Sequence, residues 1–246
     1  MIIQMDEKLK KEVSRDGSHL KYTRTKGGAG AGMIAAGVCF IVIGIMLVAA
    51  LSTISDMTAL MILLAGSVVL GLLFIVPGIF LNKRFQAGYM KYYVKKSGYS
   101  EEELNNFERE FQTGEALLIN PAKKLTKQSK FESGIITRNW IKMPYMMPLK
   151  YSGIYRTVDI AAAFYEKKPV VNGEPLNPTL FIVDSRGDGV TMTMDETTGN
   201  EVIQEIAKRN PKTVTVRRFT YNGRNYDSLY NYQEVAELYR EICRPR

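Results

Sequence analysis

Residues 33–54 read MIAAGVCFIVIGIMLVAALSTI and residues 58–81 read TALMILLAGSVVLGLLFIVPGIFL, and neither run holds a charged side chain. A bilayer core ~30 Å thick needs ~20 apolar residues at the helical rise to be crossed. Both runs are long enough. A helix packed on a soluble protein keeps a polar face, whereas these runs are apolar all round. The pattern predicts two transmembrane helices. Ser55, Asp56 and Met57 alone separate them, a link short enough to force an antiparallel hairpin. A cleaved signal peptide fits poorly, because a polar lead precedes the first run, the run exceeds a signal core, and the second run follows at once.

The flanks set the orientation. Lys8, Lys10, Lys11, Arg15, Lys21, Arg24 and Lys26 precede the first run; Lys83, Arg84, Lys91, Lys95 and Lys96 follow the second; the link has no Lys or Arg. The positive-inside rule then puts both termini in the cytoplasm of a multi-pass cell-membrane protein. In the segment after the second run, Phe85, Tyr89, Tyr92 and Tyr93 are interleaved with bases, as in an aromatic belt with a basic collar. Lys83, Arg84, Lys91, Lys95 and Lys96 are therefore candidates for contact with anionic headgroups of the inner leaflet. Within the runs, Gly32 with Ala36 and Ser67 with Gly71 are spaced four apart. These are candidate helix-packing positions, either within the hairpin or against a membrane-protein partner. Pro77-Gly78 is expected to kink or loosen the second helix. The absence of ionisable side chains inside the runs speaks against a proton relay built by this chain alone.

The net charge of +8 divides evenly, with 9 Lys+Arg against 5 Asp+Glu up to residue 84 and 24 against 20 beyond it. A basic excess beside an apolar region suits an anionic membrane surface, and no nucleic-acid partner is expected. Cys39 and Cys243 form no disulfide framework or zinc motif. The single histidine, His19, has no nucleophile signature near it and reads as a solvated surface residue. GGAGAG at 27–32 lacks the Lys-Ser/Thr and the preceding strand of a phosphate loop. Arg186-Gly187-Asp188 spells an adhesion tripeptide, but the expected topology makes it a cytoplasmic hairpin loop. Asp159, Glu166, Asp184, Asp188, Asp195 and Glu196 are scattered. No catalytic residue, cofactor or metal is expected, and an enzyme is not the leading expectation.

Beyond the collar, Ser100 and Glu103 form a capping box, and Leu104, Phe107 and Phe111 follow at helical spacing, predicting a helix over 100–112. Strands are expected at 116–119, 134–143, 154–165, 179–184 and 190–194, with turns at Asn172-Gly173 and Arg186–Gly189. A helix over 201–209, a strand TVTVRR ahead of an Asn222-Gly223 turn, and a helix over 232–243 with Val235, Leu238, Tyr239 and Ile242 as its stripe complete the chain. Strands first and helix afterwards predict an α+β fold with an antiparallel sheet.

The segments GYSEEELNNFEREFQTGEALLI, SGIITRNWIKMP, VDIAAAFYEKK and TLFIVDSRGDG, the last leading to a helix ending KRNP, resemble those of uncharacterised bacterial membrane proteins with two N-terminal transmembrane helices and a cytoplasmic pleckstrin-homology-like domain. The resemblance covers roughly residues 85–215 and the hairpin. It implies a PH-like antiparallel sheet capped by a helix, to which this chain adds a C-terminal helix, and it implies no catalytic residues. Ala161, Ala162 and Ala163 depart from it, since larger strand residues are expected there. The expected organisation is a basic cytoplasmic arm (1–32), a transmembrane hairpin (33–81), a juxtamembrane basic-aromatic helix with a short amphipathic helix (82–113), and the α+β PH-like domain (114–246).

The leading functional expectation is a non-enzymatic, membrane-tethered binding or scaffold module. An accessory subunit of a membrane transport or secretion complex is the second. An enzyme with an unrecognised site in the soluble domain is the third.

Overall fold

The computed structural model describes residues 1–25, 29–51, 56–120, 122, 124–126, 130, 133–143, 153–171 and 173–243. The helices are α1 (Glu7–Glu12), α2 (His19–Thr25), α3 (Ala29–Leu51), α4 (Met57–Ala87), α5 (Tyr89–Ser97), α6 (Glu101–Thr113), α7 (Glu196–Arg209) and α8 (Tyr232–Cys243). The strands are β1 (Ile2–Gln4), β2 (Leu117–Ile119), β3 (Gly134–Ile136), β4 (Trp140–Lys142), β5 (Ile154–Arg156), β6 (Ile160–Glu166), β7 (Val170–Val171), β8 (Glu174–Pro175), β9 (Thr179–Asp184), β10 (Gly189–Thr193), β11 (Arg218–Tyr221) and β12 (Arg224–Asp227). The chain divides into two compact units, Ser18–Tyr92 on one side and Met1–Gly17 with Tyr93–Arg246 on the other.

In the smaller unit, α3 and α4 contain the segments Gly30–Leu51 and Met57–Arg84, each long and apolar enough to cross a membrane. Only 11% of the most apolar window of either is buried within the protein. Ile43, Met46, Met61, Leu73 and Phe80 are each more than half exposed, the reverse of a soluble core. Lys26, Gly27, Gly28 and the end of the first expected span with Ser55 lie outside the described residues. Helix α4 continues through Pro77 to Ala87; the ring removes the hydrogen bond to the Leu73 carbonyl without ending the helix.

The two helices meet along glycines. A Cβ on Gly37 would stand 2.5 Å from the Gly71 carbonyl oxygen, and one on Gly71 would stand 2.8 Å from that of Gly37. Gly30 and Gly78 face each other in the same way, at 2.6 and 2.9 Å, and Gly44 is filled by Ser67. Partners rise in number along α3 as they fall along α4, so the helices are antiparallel. Gly30, Gly37 and Gly44 recur every seven residues, which holds one face of α3 against α4. Of the expected packing positions, Ser67 and Gly71 lie in this seam. Gly32 does not: it is exposed, and a Cβ there would meet nothing within 4 Å. Two residues beyond Gly30, it is turned about 200° away around the helix. Ala36 is half-buried beside Gly37.

The larger unit holds a five-stranded antiparallel sheet, β1-β2-β3-β4-β5, and a three-stranded one, β10-β9-β6. The first 32 residues are not a simple arm. Ile2, Ile3 and Gln4 pair with Ile119, Leu118 and Leu117, Asp6 caps α1 by accepting from the Leu9 amide at 2.7 Å, and Lys10 donates to the Gln112 and Gly114 carbonyls at the end of α6, both at 3.0 Å. The Ser100–Glu103 capping box forms as expected, and α6 buries Leu104, Phe107 and Phe111.

Along β9, alternate side chains serve different cores, because neighbours in a strand point to opposite faces. Leu180 and Ile182 join Ile141, Tyr155, Val202 and Ile206 in the main core, between the sheets and α7. Phe181 and Val183 join Phe164 and Val235 in a second core, where Phe164 and Phe181 stack at 5.1 Å. A sheet covered on both faces explains why residues 180–183 are apolar without alternation.

Three strand expectations change. The stretch 134–143 is two strands, because Thr137 bonds back to the Trp140 carbonyl at 2.8 Å to close a tight turn. The stretch 154–165 is interrupted by a 3-10 turn, Thr157–Asp159. TVTVRR is not a strand: Val214 alone bridges Ala162, in parallel, and β11 begins at Arg218. That bridge also explains the alanines. The pairing of β6 with β9 shifts between Ile160 and Ala162, the Ala161 carbonyl receives the Val214 amide at 2.9 Å, the Val214 carbonyl receives the Ala163 amide at 2.8 Å, and all three alanines are fully buried. Asn172 lies outside the described residues, but Gly173, with φ of +84°, turns the chain between β7 and β8.

The glycine seam yields a direct expectation. Gly37→Leu or Gly71→Leu destabilises the hairpin by about 1–3 kcal/mol or more through overpacking, whereas Gly32→Leu changes stability little. Thermal unfolding of the full chain in mild detergent measures this. Equal effects at positions 32 and 37 would contradict the seam.

Candidate functional site

The basic collar divides between the two units. Lys95 and Lys96 belong to the larger one, and Lys83, Arg84 and Lys91 to the smaller. Within the smaller unit, α2 brings Arg24 toward the end of α4, where Arg24, Leu81, Arg84 and Gly88 line a cleft of about 370 Å³. The Arg24 guanidinium lies 3.8 Å from the centre of the Tyr92 ring, a cation–π contact that fixes a long side chain. By sequence Arg84 belongs to the collar and Arg24 to the charges flanking the first apolar run. Nothing in linear spacing joins positions 24 and 84; a three-helix arrangement does.

In the larger unit, Tyr99 gathers the charged residues of three elements. Its hydroxyl donates to Asp159 at 3.0 Å and accepts from the Arg156 amide at 3.1 Å. Arg156 grips Asp159 with two hydrogen bonds, 2.7 and 3.1 Å, and reaches Glu103 at 3.2 Å. The guanidinium carbons of Arg156 and Arg186 each lie 5.5 Å from the Tyr99 ring centre, and Trp140 meets its edge at 5.1 Å. Burial pushes the Tyr99 phenol above its ordinary range. These bonds fasten α6 to the sheet through Glu103 and Tyr99.

The Arg-Gly-Asp tripeptide is consumed in the same way. The buried Asp184 carboxylate accepts from the Arg186 amide at 2.9 Å, from the Asp188 amide at 2.8 Å and from the Arg186 guanidinium at 2.7 Å. Arg186 also donates to the Ser97 carbonyl at 2.6 Å. Gly187 adopts φ of +81°, the left-handed turn conformation that suits glycine.

Among the described residues, one edge of β10 has no paired strand. β10 pairs with β9 alone in its sheet. The Asp184 amide bonds to the Asp188 carbonyl at 2.8 Å and the Met194 amide to the Pro178 carbonyl at 3.1 Å, so residues 188, 190, 192 and 194 point their backbone groups at β9. By antiparallel alternation, Gly189, Thr191 and Thr193 point theirs away. Gly189 and Thr193 are exposed and Thr191 is half-exposed. Beside this edge runs a groove of about 420 Å³ whose walls include Phe181, Val183, Thr191, Leu229 and Tyr232. Hydropathy along β10 does not mark it as an edge; that follows from the strand order.

Two polar residues are buried rather than available. His19, expected at the solvated surface, is fully buried with Leu20 and Thr23 on one face of α2. Lys142 is also fully buried in β4, and its ammonium donates to the Met143 carbonyl at 3.2 Å. Burial lowers its pKa from the ordinary 10.5 to about 7, opposed by attraction to Glu108. Among the described residues, no three His, Cys, Asp or Glu side chains gather to hold a metal. No protein family, curated protein or solved structure matches this chain.

Lys142 gives a pH dependence of known sign. The folded state binds its proton more weakly than the unfolded chain, so the cost of burial is complete below pH 7. That cost is relieved as pH rises from 7 toward 10.5. Lys142→Met therefore stabilises the chain at pH 6 by about 2 kcal/mol or more, and its advantage shrinks between pH 7 and 9. Parallel stability–pH profiles for the two proteins, measured by chemical denaturation, would contradict this.

Proposed function

We propose that this chain is a non-enzymatic, membrane-tethered binding module whose soluble domain receives an extended peptide segment along β10. The α3–α4 hairpin supplies the tether, spanning the bilayer twice with both termini in the cytoplasm. That topology is supported by the exposed apolar faces of the two helices and by the bases flanking them. A PH-like reading of the soluble domain is supported by the antiparallel run β2 to β5, the three-stranded sheet that follows it, and α7 after β10. In this reading β1 is an added strand and α8 an added helix.

The observation that carries the proposal is the outward-facing backbone of Gly189, Thr191 and Thr193 beside an aromatic-walled groove. A strand edge with spare donors and acceptors recruits an extended partner by backbone pairing, and pockets beside it read alternate side chains. Fixing the module to a membrane raises its effective concentration toward any partner held on the same surface.

Thr191→Pro tests this with little disturbance to the fold, since proline is tolerated on an edge strand where the lost N–H faces outward. Peptides selected by display on the full chain in detergent are expected to bind the wild type and to lose about ten-fold or more in affinity for Thr191→Pro, as a ladder hydrogen bond and its neighbours are lost. Unchanged binding to Thr191→Pro, with the variant folded by circular dichroism, would overturn the proposal.

A further inference from the structure

We infer that the groove beside β10 is an anchor pocket for one aromatic side chain of the bound segment, with a basic residue next to that aromatic, and that Gly189 keeps the pocket open. The inference rests on the reading of β10 as a peptide-receiving edge. In the β9–β10 pair, Gly189 stands opposite Val183 and Thr191 opposite Phe181. Opposite residues share a face of a sheet, so Gly189 and Thr191 lie on the face that Phe181 and Val183 give to the second core. The backbone does not require glycine at position 189. Its φ lies outside the left-handed region, and a Cβ there would meet only the Ile182 carbonyl oxygen, at 3.8 Å. Glycine inside a strand costs stability and often marks a place where a ligand approaches closely. Here the missing side chain leaves the groove open at the β10 edge.

The walls set the chemistry of the occupant. The groove holds about 420 Å³, within the range of pockets that take small organic groups. Phe181 and Val183 line it from β9, and Leu229 and Tyr232 from the start of α8 and the residues before it. Phe181 stacks on Phe164 at 5.1 Å, and Tyr232 is 41% exposed. An entering ring therefore meets aromatic partners from both β9 and α8. Asp188 is the one charged residue among those lining the groove. Arg186 stands 4.0 Å from it but holds Asp184 more closely, at 2.7 Å. Two carboxylates against one guanidinium favour a base on the partner. In an extended partner, the residue opposite Asp188 is the neighbour of the residue opposite Gly189. The strand GVTMT has no charge, proline or register shift, the devices that usually protect an edge from pairing. A second copy of this chain, paired antiparallel across a two-fold axis, would bring only Gly189, Thr191 and Thr193 to the groove face, and these leave the groove unfilled.

The test selects peptides by display on the full chain in mild detergent and measures their affinities. The selected sequences are expected to share one aromatic position with a Lys or Arg beside it. Changing that aromatic to alanine in the peptide lowers affinity for the wild type by about thirty-fold, the scale of an anchor in a pocket. On Gly189→Val, whose side chain suits a strand, the aromatic peptide loses about ten-fold and the alanine peptide is unaffected, so the two changes are coupled. Gly189→Ala gives a smaller loss in the same sense and replaces Gly189→Val if circular dichroism shows that variant to be misfolded. On Asp188→Asn the selection for the base disappears. Selected peptides without a shared aromatic, or an aromatic-to-alanine cost equal on the wild type and the folded Gly189 variants, would overturn the anchor. A loss on Thr191→Pro in the same assay would then still support the edge. A preference for the base that survives Asp188→Asn would overturn its assignment to this groove. Failure to select any peptide, or binding indifferent to Thr191→Pro, overturns the edge reading and the anchor with it. A dimer of the full chain that Thr191→Pro dissociates would place a second copy on the edge and overturn the peptide as its occupant.

Discussion

The rest of this structure depends on the free energy of some apolar side chains that the protein does not bury. Helices α3 and α4 hide each other's glycines and leave isoleucine, leucine, methionine and phenylalanine facing outward along their length. Burying apolar surface gains about 25 cal/mol per Å², so a face of this size left in water opposes a soluble state decisively. Between the helices themselves, lipid supplies no hydrophobic drive. Close packing must hold them, and it is the absence of side chains at Gly30, Gly37, Gly71 and Gly78 that lets the backbones approach.

The larger unit is organised by a different device, a strand covered on both faces. β9 gives one set of side chains to the core under α7 and the other to the core under α8 and the β11–β12 hairpin. Among the described residues, the β6 edge of this sheet is taken up by Val214, which bonds to Ala161 and Ala163, while β10 pairs with β9 alone. Tyr99, Arg156 and Arg186 tie the end of α5 and the start of α6 to the two sheets through hydrogen bonds. The polar residues that look most chemical in this domain are thereby engaged in holding it together.

Much of this was legible in the sequence, and the part that was not has identifiable reasons. The apolar runs, the Ser100 capping box, the hairpin after Asp184 and the stripe of α8, which buries Val235, Leu238 and Tyr239 but leaves Ile242 exposed, are local patterns with a single periodic meaning. The turn at 137–139 carries no glycine or proline; Glu110 of α6 holds it by accepting from Thr137, the Asn139 amide and the Asn139 side chain at 2.6–2.9 Å, a long-range cause without a local sign. Ile2 and Ile3 are too short a run to declare a strand until β2 is known to lie beside them. Gly32 and Ala36 satisfy the small-residue spacing, yet the heptad of Gly30, Gly37 and Gly44 sets the face, since seven residues match two helical turns more closely than four match one. The pairing of Arg24 with Arg84 is a property of helix packing, as is the burial of His19.

The central claim, that lipid covers the hairpin, is tested most directly by Cys39. The protein alone leaves this thiol exposed, midway along α3, and a surrounding bilayer would hide it. With Cys243→Ser, Cys39 becomes the sole thiol of the chain. In open membrane fragments a charged maleimide should leave it unlabelled until the membrane is dissolved and the protein denatured. Labelling in the intact membrane at the rate of a free cysteine would contradict the account.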